Sequence, residues 1–155
     1  MRGKPAPKRL IQPDPKYRNA VIAKFINYVM RDGKKTTAQN VVFGAFEIIA
    51  ERTKEDPLDV FDKAMKNVQP TVEVKSKRVG GANYQIPIQV RGERRIALGF
   101  RWVIAAADAK KGRPMAEKLA AELISAANNE GDAVKKKMDV HRMADANRAF
   151  AHFAR

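Results

Sequence analysis

Residues Val72–Arg113, VEVKSKRVGGANYQIPIQVRGERRIALGFRWVIAAADAKKGR, hold a tight reversal between two alternating segments, followed by a basic stretch of helical period. Val72 and Val74 alternate with Glu73 and Lys75, and Tyr84, Ile86, Ile88 and Val90 alternate with Gln85, Pro87, Gln89 and Arg91. This is the two-residue period of strands with one apolar face. Gly80-Gly81, with Asn83 close by, supplies the positive φ that a tight turn requires, so the spacing predicts a β-hairpin over about 72–91. At about 3.3 Å per residue its strands extend roughly 25 Å. Pro87 lacks a ladder donor and belongs on an outer edge. Two strands alone are marginal in water. A long isolated hairpin with Lys75, Lys77 and Arg78 near its tip therefore reads as a probe lying against a partner.

From about Arg94 to Ala109 the period becomes helical, with Ile96, Phe100, Val103 and Ala107 toward the core. Arg94, Arg95, Arg101 and Trp102 share the other stripe, and Glu93 and Asp108 are the only carboxylates nearby in sequence. Nucleic-acid contact is thus favoured over salt bridges for these arginines, while Trp102 suits either base stacking or plugging the core.

The flanking segments are mostly helical. Ala20–Arg31 places Val21, Ile22, Phe25, Ile26, Val29 and Met30 on one face, and Asp32-Gly33 ends it. Thr36-Thr37-Ala38-Gln39 resembles a capping box opening a second helix, buried through Val41, Val42, Ala45, Phe46 and Ile49. Lys34 and Lys35, between the two helices, suit either a phosphate at the second helix's N-terminus or a solvated turn. A Walker motif is excluded, because its first glycine would fall at Tyr28. Asp56-Pro57-Leu58-Asp59 starts a third helix, with Leu58, Phe61, Ala64, Met65 and Val68 inward and Pro70 as its stop. After Lys110, Lys111 and Arg113, a helix over Met115–Asn128 packs through Met115, Leu119, Leu123 and Ala126. Asn128-Asn129-Glu130-Gly131 breaks it, and Asp132 can cap a last helix whose Val134, Met138 and His141 face inward. Lys135, Lys136, Lys137, Arg142 and Arg148 project elsewhere, as a solvated face or as further polyanion contacts. The aromatic end, Phe150–Arg155, is expected to dock.

The expected fold is mainly α, a single domain of about six helices with one protruding hairpin arm. Residues 1–19 hold Pro5, Pro7, Pro13 and Pro15 among Arg2, Lys4, Lys8, Arg9, Lys16 and Arg18, which forbids a helix and leaves a basic extended arm. That arm is either a solubilising tail or a segment that orders on nucleic acid. Residues 20–155 are expected to form the helical domain that binds nucleic acid, with the hairpin at about 72–91.

Charge separates these parts. The net charge of +14 divides into +5 over residues 1–19, +1 over 20–71, +7 over 72–114 and +1 over 115–155. A nearly neutral scaffold thus presents a basic surface to a polyanion. With no cysteine there is no disulfide framework, thiolate metal site or cysteine nucleophile, which is compatible with a reducing cytosol. No apolar run approaches bilayer length and no apolar core follows the basic N-terminus, so a soluble, non-secreted chain with no membrane partner is expected. His141 and His152 have no thiolate or acidic companions for a metal, the six methionines have core spacing, and no catalytic triad, carboxylate pair or glycine loop has the context chemistry needs. Neither enzyme activity nor a cofactor is expected.

Several motifs then carry a resemblance that runs nearly end to end: PDPKY (13–17), KFINYVMRDGKK (24–35), DPLDVFDKAMKNVQPTVEVKSKRVGGANYQIP (56–87), RRIALGFRW (94–102), ELISAANNEGDAVKKK (122–137) and HRMADANRAFAHF (141–153). The chain resembles the bacterial family of small-subunit ribosomal protein number seven, departing at Lys77, Asn83 and Met138. The resemblance implies a helical domain that binds the 3′ major domain of small-subunit ribosomal RNA and starts assembly of the subunit head. It also implies a place beside the exit-site tRNA and the messenger path, with the hairpin (Lys77, Arg78, Gly80, Gly81, Asn83 and Tyr84) near that tRNA. The C-terminal part would face neighbouring small-subunit proteins at the head and platform. The expected mechanism is a grip on phosphates at an RNA junction by the N-terminal arm, Lys34, Lys35, Arg91, Arg94, Arg95, Arg101, Lys110, Lys111 and Arg113, with Lys75 beside them. Two alternatives are an architectural DNA-binding protein with its arm in the minor groove and a nuclease or nucleotide enzyme, for which no carboxylate or histidine cluster is found.

Overall fold

A computed structural model describes residue 3 and residues 9–154 of the chain, so Arg2, Lys4 and Lys8 of the expected arm lie outside the described residues. The chain divides into two compact units, Met1–Gln39 and Asn40–Arg155.

In the first unit the proline-rich segment turns before it reaches a helix. Asp14 is buried and its Oδ2 accepts the N–H groups of Lys16 and Tyr17, both at 3.0 Å, while its carbonyl accepts that of Arg18 at 2.8 Å. An aspartate mimicking a backbone turn in this way resolves the chain direction that the prolines leave open. Helix α1 (Ala20–Val29) follows, its first turn capped by the Asn19 side chain, which accepts the Val21 N–H at 2.8 Å. Ile22, Phe25 and Ile26 are buried as expected, with Ala23 beside them, whereas Val21 is exposed and the helix stops two residues short of Arg31. Asp32 and Gly33 both take positive φ, 53° and 73°. Helix α2 (Lys35–Thr53) then begins at Lys35, so Thr36 lies inside its first turn and is not the cap of a capping box.

In the second unit, Val42, Ala45, Phe46 and Ile49 form the buried stripe of α2. Asp56 caps α3 (Pro57–Val68) as expected, accepting the Leu58 N–H at 2.9 Å with Pro57 in the first turn. The core continues from Phe46 to Phe61 and on to Phe100, with ring centroids 5.6 and 6.5 Å apart. Strands β1 (Val72–Val79) and β2 (Ala82–Gln89) pair antiparallel from Val72↔Gln89 to Val79↔Ala82 around Gly80-Gly81, both at positive φ. Helices α4 (Gly92–Ala109), α5 (Met115–Ala127) and α6 (Asp132–Ala146) follow, and a 3-10 helix spans Arg148–Ala154. The fold is mainly α with one hairpin.

Two expectations for the arm change. The register sets Val72 and Val74 opposite Gln89 and Pro87, so their side chains share a face that Tyr84, Ile86 and Ile88 do not. The face of Ile86 carries Glu73, Lys75 and Lys77 instead, so the hairpin has no single apolar side. Nor is the arm isolated: α6 packs on both strands and the 3-10 helix packs on β2. That cover removes the marginality of a lone two-stranded ribbon over all but its tip.

Candidate nucleic-acid interface

The basic block is built where β2 hands over to α4. Arg91, at the N-terminal boundary of α4, is exposed, as are Arg94 and Arg101 along the helix, while Arg95 and Trp102 are half-buried. Residues 94 and 101, or 95 and 102, recur after seven positions and share a line on the helix, but the two lines are about 100° apart. The lines meet different neighbours. Arg94 reaches β1: its Nε lies 2.8 and 2.9 Å from the two carboxylate oxygens of Glu73 and its Nη2 lies 2.8 Å from Oε2. Lys75 Nζ joins the same carboxylate at 3.4 Å. The partner of Arg94 is therefore neither Glu93 nor Asp108 but a residue 21 positions earlier. Its hydrogen bond holds the Glu73 carboxyl below the usual glutamate range against an opposing push from burial, and the carboxylate in turn holds Arg94 more firmly protonated.

The Arg95 line turns toward α6, where Lys137 and His141 feel its charge. Lys137 is half-buried, and its Nζ donates to the Asn67 carbonyl at 2.7 Å, near the C-terminus of α3. Burial, then Arg95, lowers its pKa. Asn67 itself donates to the Ala126 and Ala127 carbonyls at 2.9 and 3.0 Å, so this one lysine belongs to the joint between α3, α5 and α6. His141 accepts the Thr71 N–H through Nε2 at 3.2 Å. Its pKa is lowered by burial and by Lys137 and Arg95, against an upward pull from Asp145.

A second carboxylate was missed in the sequence. Glu122 is fully buried on the Leu119–Leu123–Ala126 face of α5; Oε1 accepts the Ala133 N–H at 2.9 Å and Oε2 lies 2.6 Å from Lys110 Nζ. It caps α6 from another helix, so Asp132 is the first helical residue and not the cap. The readable signal was a glutamate at core spacing on α5. Gly131 completes the joint with φ 93°, and a Cβ there would meet Glu122 Oε1 at 2.9 Å. Met138, expected inward, is 54% exposed because Val134, Ala133 and Ala144 define the buried line of α6.

The expected basic residues differ in exposure and in the contacts they make. Arg94, Lys75, Lys110, Lys137 and Arg142 are engaged within the fold, Arg142 with Asp139 at 3.0 Å. Arg9, Lys34, Lys35, Arg78, Arg91, Arg101, Lys111, Arg113, Lys135, Lys136 and Arg148 have exposed side chains. Lys77 is exposed as well, but its Nζ donates to the Phe153 carbonyl at 2.8 Å, and the Tyr84 ring lies against Phe150 and Phe153. Gly80, Gly81 and Asn83 form the exposed tip. Among the described residues no group of three or more His, Asp or Glu could hold a metal, and no helix is long and apolar enough to cross a membrane.

Guanidinium and ammonium groups displayed along a helix and a hairpin, on a scaffold of balanced charge, form a surface for a phosphate backbone. Comparison with known proteins shows the family. The family model for ribosomal protein S7p/S5e matches residues 1–148. The chain belongs to that family. Members of the S7p/S5e family are ribosomal proteins, structural parts of a ribonucleoprotein and not enzymes. Small ribosomal subunit protein uS7 of Thermotoga maritima is 60% identical over 153 residues, covering 99% of each chain. That of Afipia carboxidovorans is 57% identical over 148 residues, covering 96% of this chain and 95% of its own. That of Acidithiobacillus ferrooxidans is 55% identical over 152 residues, covering 98% and 97%. For an S7p/S5e protein the DNA-binding and nuclease readings lose their ground.

Proposed function

We propose that this chain binds small-subunit ribosomal RNA as a primary organiser of its 3′ major domain, nucleating assembly of the subunit head in the cytoplasm. The observation that carries this is the +7 charge over residues 72–114, on a helix and hairpin set into nearly neutral flanks. Arg91, Arg101, Lys111 and Arg113 are the phosphate contacts at the ends and outer side of α4, joined by Lys34, Lys35 and the N-terminal Arg2, Lys4, Lys8 and Arg9. Arg94 and Arg95 act differently. Arg94 presents whatever guanidinium donors Glu73 leaves over, and Arg95 borders α6. Lys135, Lys136 and Arg148 face a further RNA segment or a neighbouring protein at the head or platform. The hairpin tip, Arg78–Asn83, reaches the exit-site tRNA and the messenger path. A-form RNA is held through shape and backbone, so the protein fixes the orientation of helices at a junction and reads few bases.

The test is binding to a transcript of the 3′ major domain across a salt series. Neutralising about 8 phosphates predicts a slope of log K against log salt near −6 to −7. Replacing Arg101, Lys111 and Arg113 by Ala should flatten it by about 2 to 3, at about one for each phosphate no longer neutralised, with helical circular dichroism unchanged. A slope near −2 for the unaltered protein would defeat this function.

A further inference from the structure

The last segment of the chain makes contacts that RNA binding does not use. The Tyr84 ring packs against both Phe150 and Phe153, with centroids 5.2 and 5.4 Å away, and the two phenylalanine rings stack at 6.4 Å. Across the ladder, Lys77 pairs with Tyr84, and its Nζ donates to the Phe153 carbonyl at 2.8 Å. The 3-10 helix therefore grips both strands at one rung of the hairpin. The base is held separately by α6, where His141 accepts the Thr71 N–H at 3.2 Å.

We propose that the 3-10 helix Arg148–Ala154 is a strap that sets the direction of the hairpin arm, with Lys77, Tyr84, Phe150 and Phe153 as its positioning residues. A ribbon held only at its base can swing about that attachment, and a second hold further out removes the freedom. The rung Lys77↔Tyr84 is the sixth of eight, so only Arg78–Asn83 extend past the strap. The strap is also built to open more readily than the core. Phe150 and Phe153 are only half-buried, and Ala149, Ala151 and His152 are exposed. Toward the base of the hairpin, between it and the start of the strap, is a cavity of about 380 Å³, bounded by Val72, Pro87 and Ile88 of the hairpin and by Ala144, Arg148 and Ala151. Segments with so little buried apolar surface open at a small fraction of the global unfolding free energy. The consequence for a partner of the tip rests on the function proposed above, but the strap itself does not.

The chain has no cysteine, so a spin-label pair can be placed without removing native residues. Labels at Asn83→Cys on the tip and Lys66→Cys on the exposed side of α3 report the arm's direction in the free, full-length protein. Pulsed dipolar spectroscopy should give one narrow distance distribution. Phe153→Ser, or a stop after Asn147, should widen it at least about twofold as the arm samples new directions, and Phe153→Tyr should restore the narrow distribution. Equal widths for the unaltered chain and Phe153→Ser overturn the strap, as does equal broadening by Phe153→Tyr and Phe153→Ser. Circular dichroism identifies any truncated chain that has unfolded, in which case the point variants decide. No RNA is present in the measurement, so its failure is distinct from failure of the proposed function.

Discussion

Replacing Glu122 by Ala tests whether a carboxylate supplied by α5 holds the start of α6. The side chain is fully buried, accepts the Ala133 N–H at 2.9 Å and pairs with Lys110 at 2.6 Å. A hydrogen bond to a charged group contributes about 1.5–3 kcal/mol. Loss of an N-terminal cap costs about 1 kcal/mol, and the vacated volume adds a cavity term. Removing one partner of a buried pair costs about 3–5 kcal/mol in all. Lys110 is 34% exposed and can turn to water, which places this change near the lower end of that range, at about 3 kcal/mol. For a domain stable by about 5–15 kcal/mol this is a large fraction. With a urea slope of about 2 kcal/mol/M, the unfolding midpoint should fall by roughly 1.5 M. Glu122→Gln keeps an acceptor for Ala133 but loses the charge facing Lys110, so it should cost about half as much. Adding Lys110→Met to Glu122→Gln should recover part of the loss, because no cation then lacks its partner. Equilibrium urea unfolding followed at 222 nm measures all four proteins. A loss below about 1 kcal/mol for Glu122→Ala, or equal losses for Gln and Ala, would refute the cap.

Two further outcomes follow from the same joints. Gly131→Ala places a Cβ 2.9 Å from Glu122 Oε1 at φ 93°, so stability should fall by about 1–3 kcal/mol in the same unfolding assay, and unchanged stability would show that the turn relaxes. His141 has a folded-state pKa below its ordinary value, so between that ordinary value and the lower folded one the unfolded chain binds more protons. Stability should therefore fall as pH drops through this window, and His141→Gln should remove that part of the slope; a slope carried intact by the variant would place its source elsewhere.

What was legible in the sequence was local. The caps and breaks at Asp56, Pro57 and Gly80-Gly81, and the buried lines of α3 and α5, follow from dihedral preference and helical period within a few residues. Even there, propensity misplaced what a neighbour decides: Thr36 has the residue type of a cap, but the turn at Asp32 and Gly33 sets α2 going at Lys35. The charge contrast between residues 72–114 and their flanks was equally plain, since counting ionised groups needs no coordinates. The arginines of α4 were placed in one basic stripe, and the residues that distinguish them were not visible.

The sequence by itself determined a helical, strongly basic, hairpin-bearing chain, and its motifs pointed to the ribosomal family. Only the tertiary structure decided which charges face outward. Arg94 answers to Glu73, Lys110 to Glu122, Lys137 to Asn67 and Lys77 to the carbonyl of Phe153, the last across 76 positions of sequence. Periodicity assigns a side chain to a face, but the group it meets there depends on which element the chain brings alongside. Long side chains such as lysine and arginine have the reach to be turned inward by a single buried carboxylate or helix-end carbonyl.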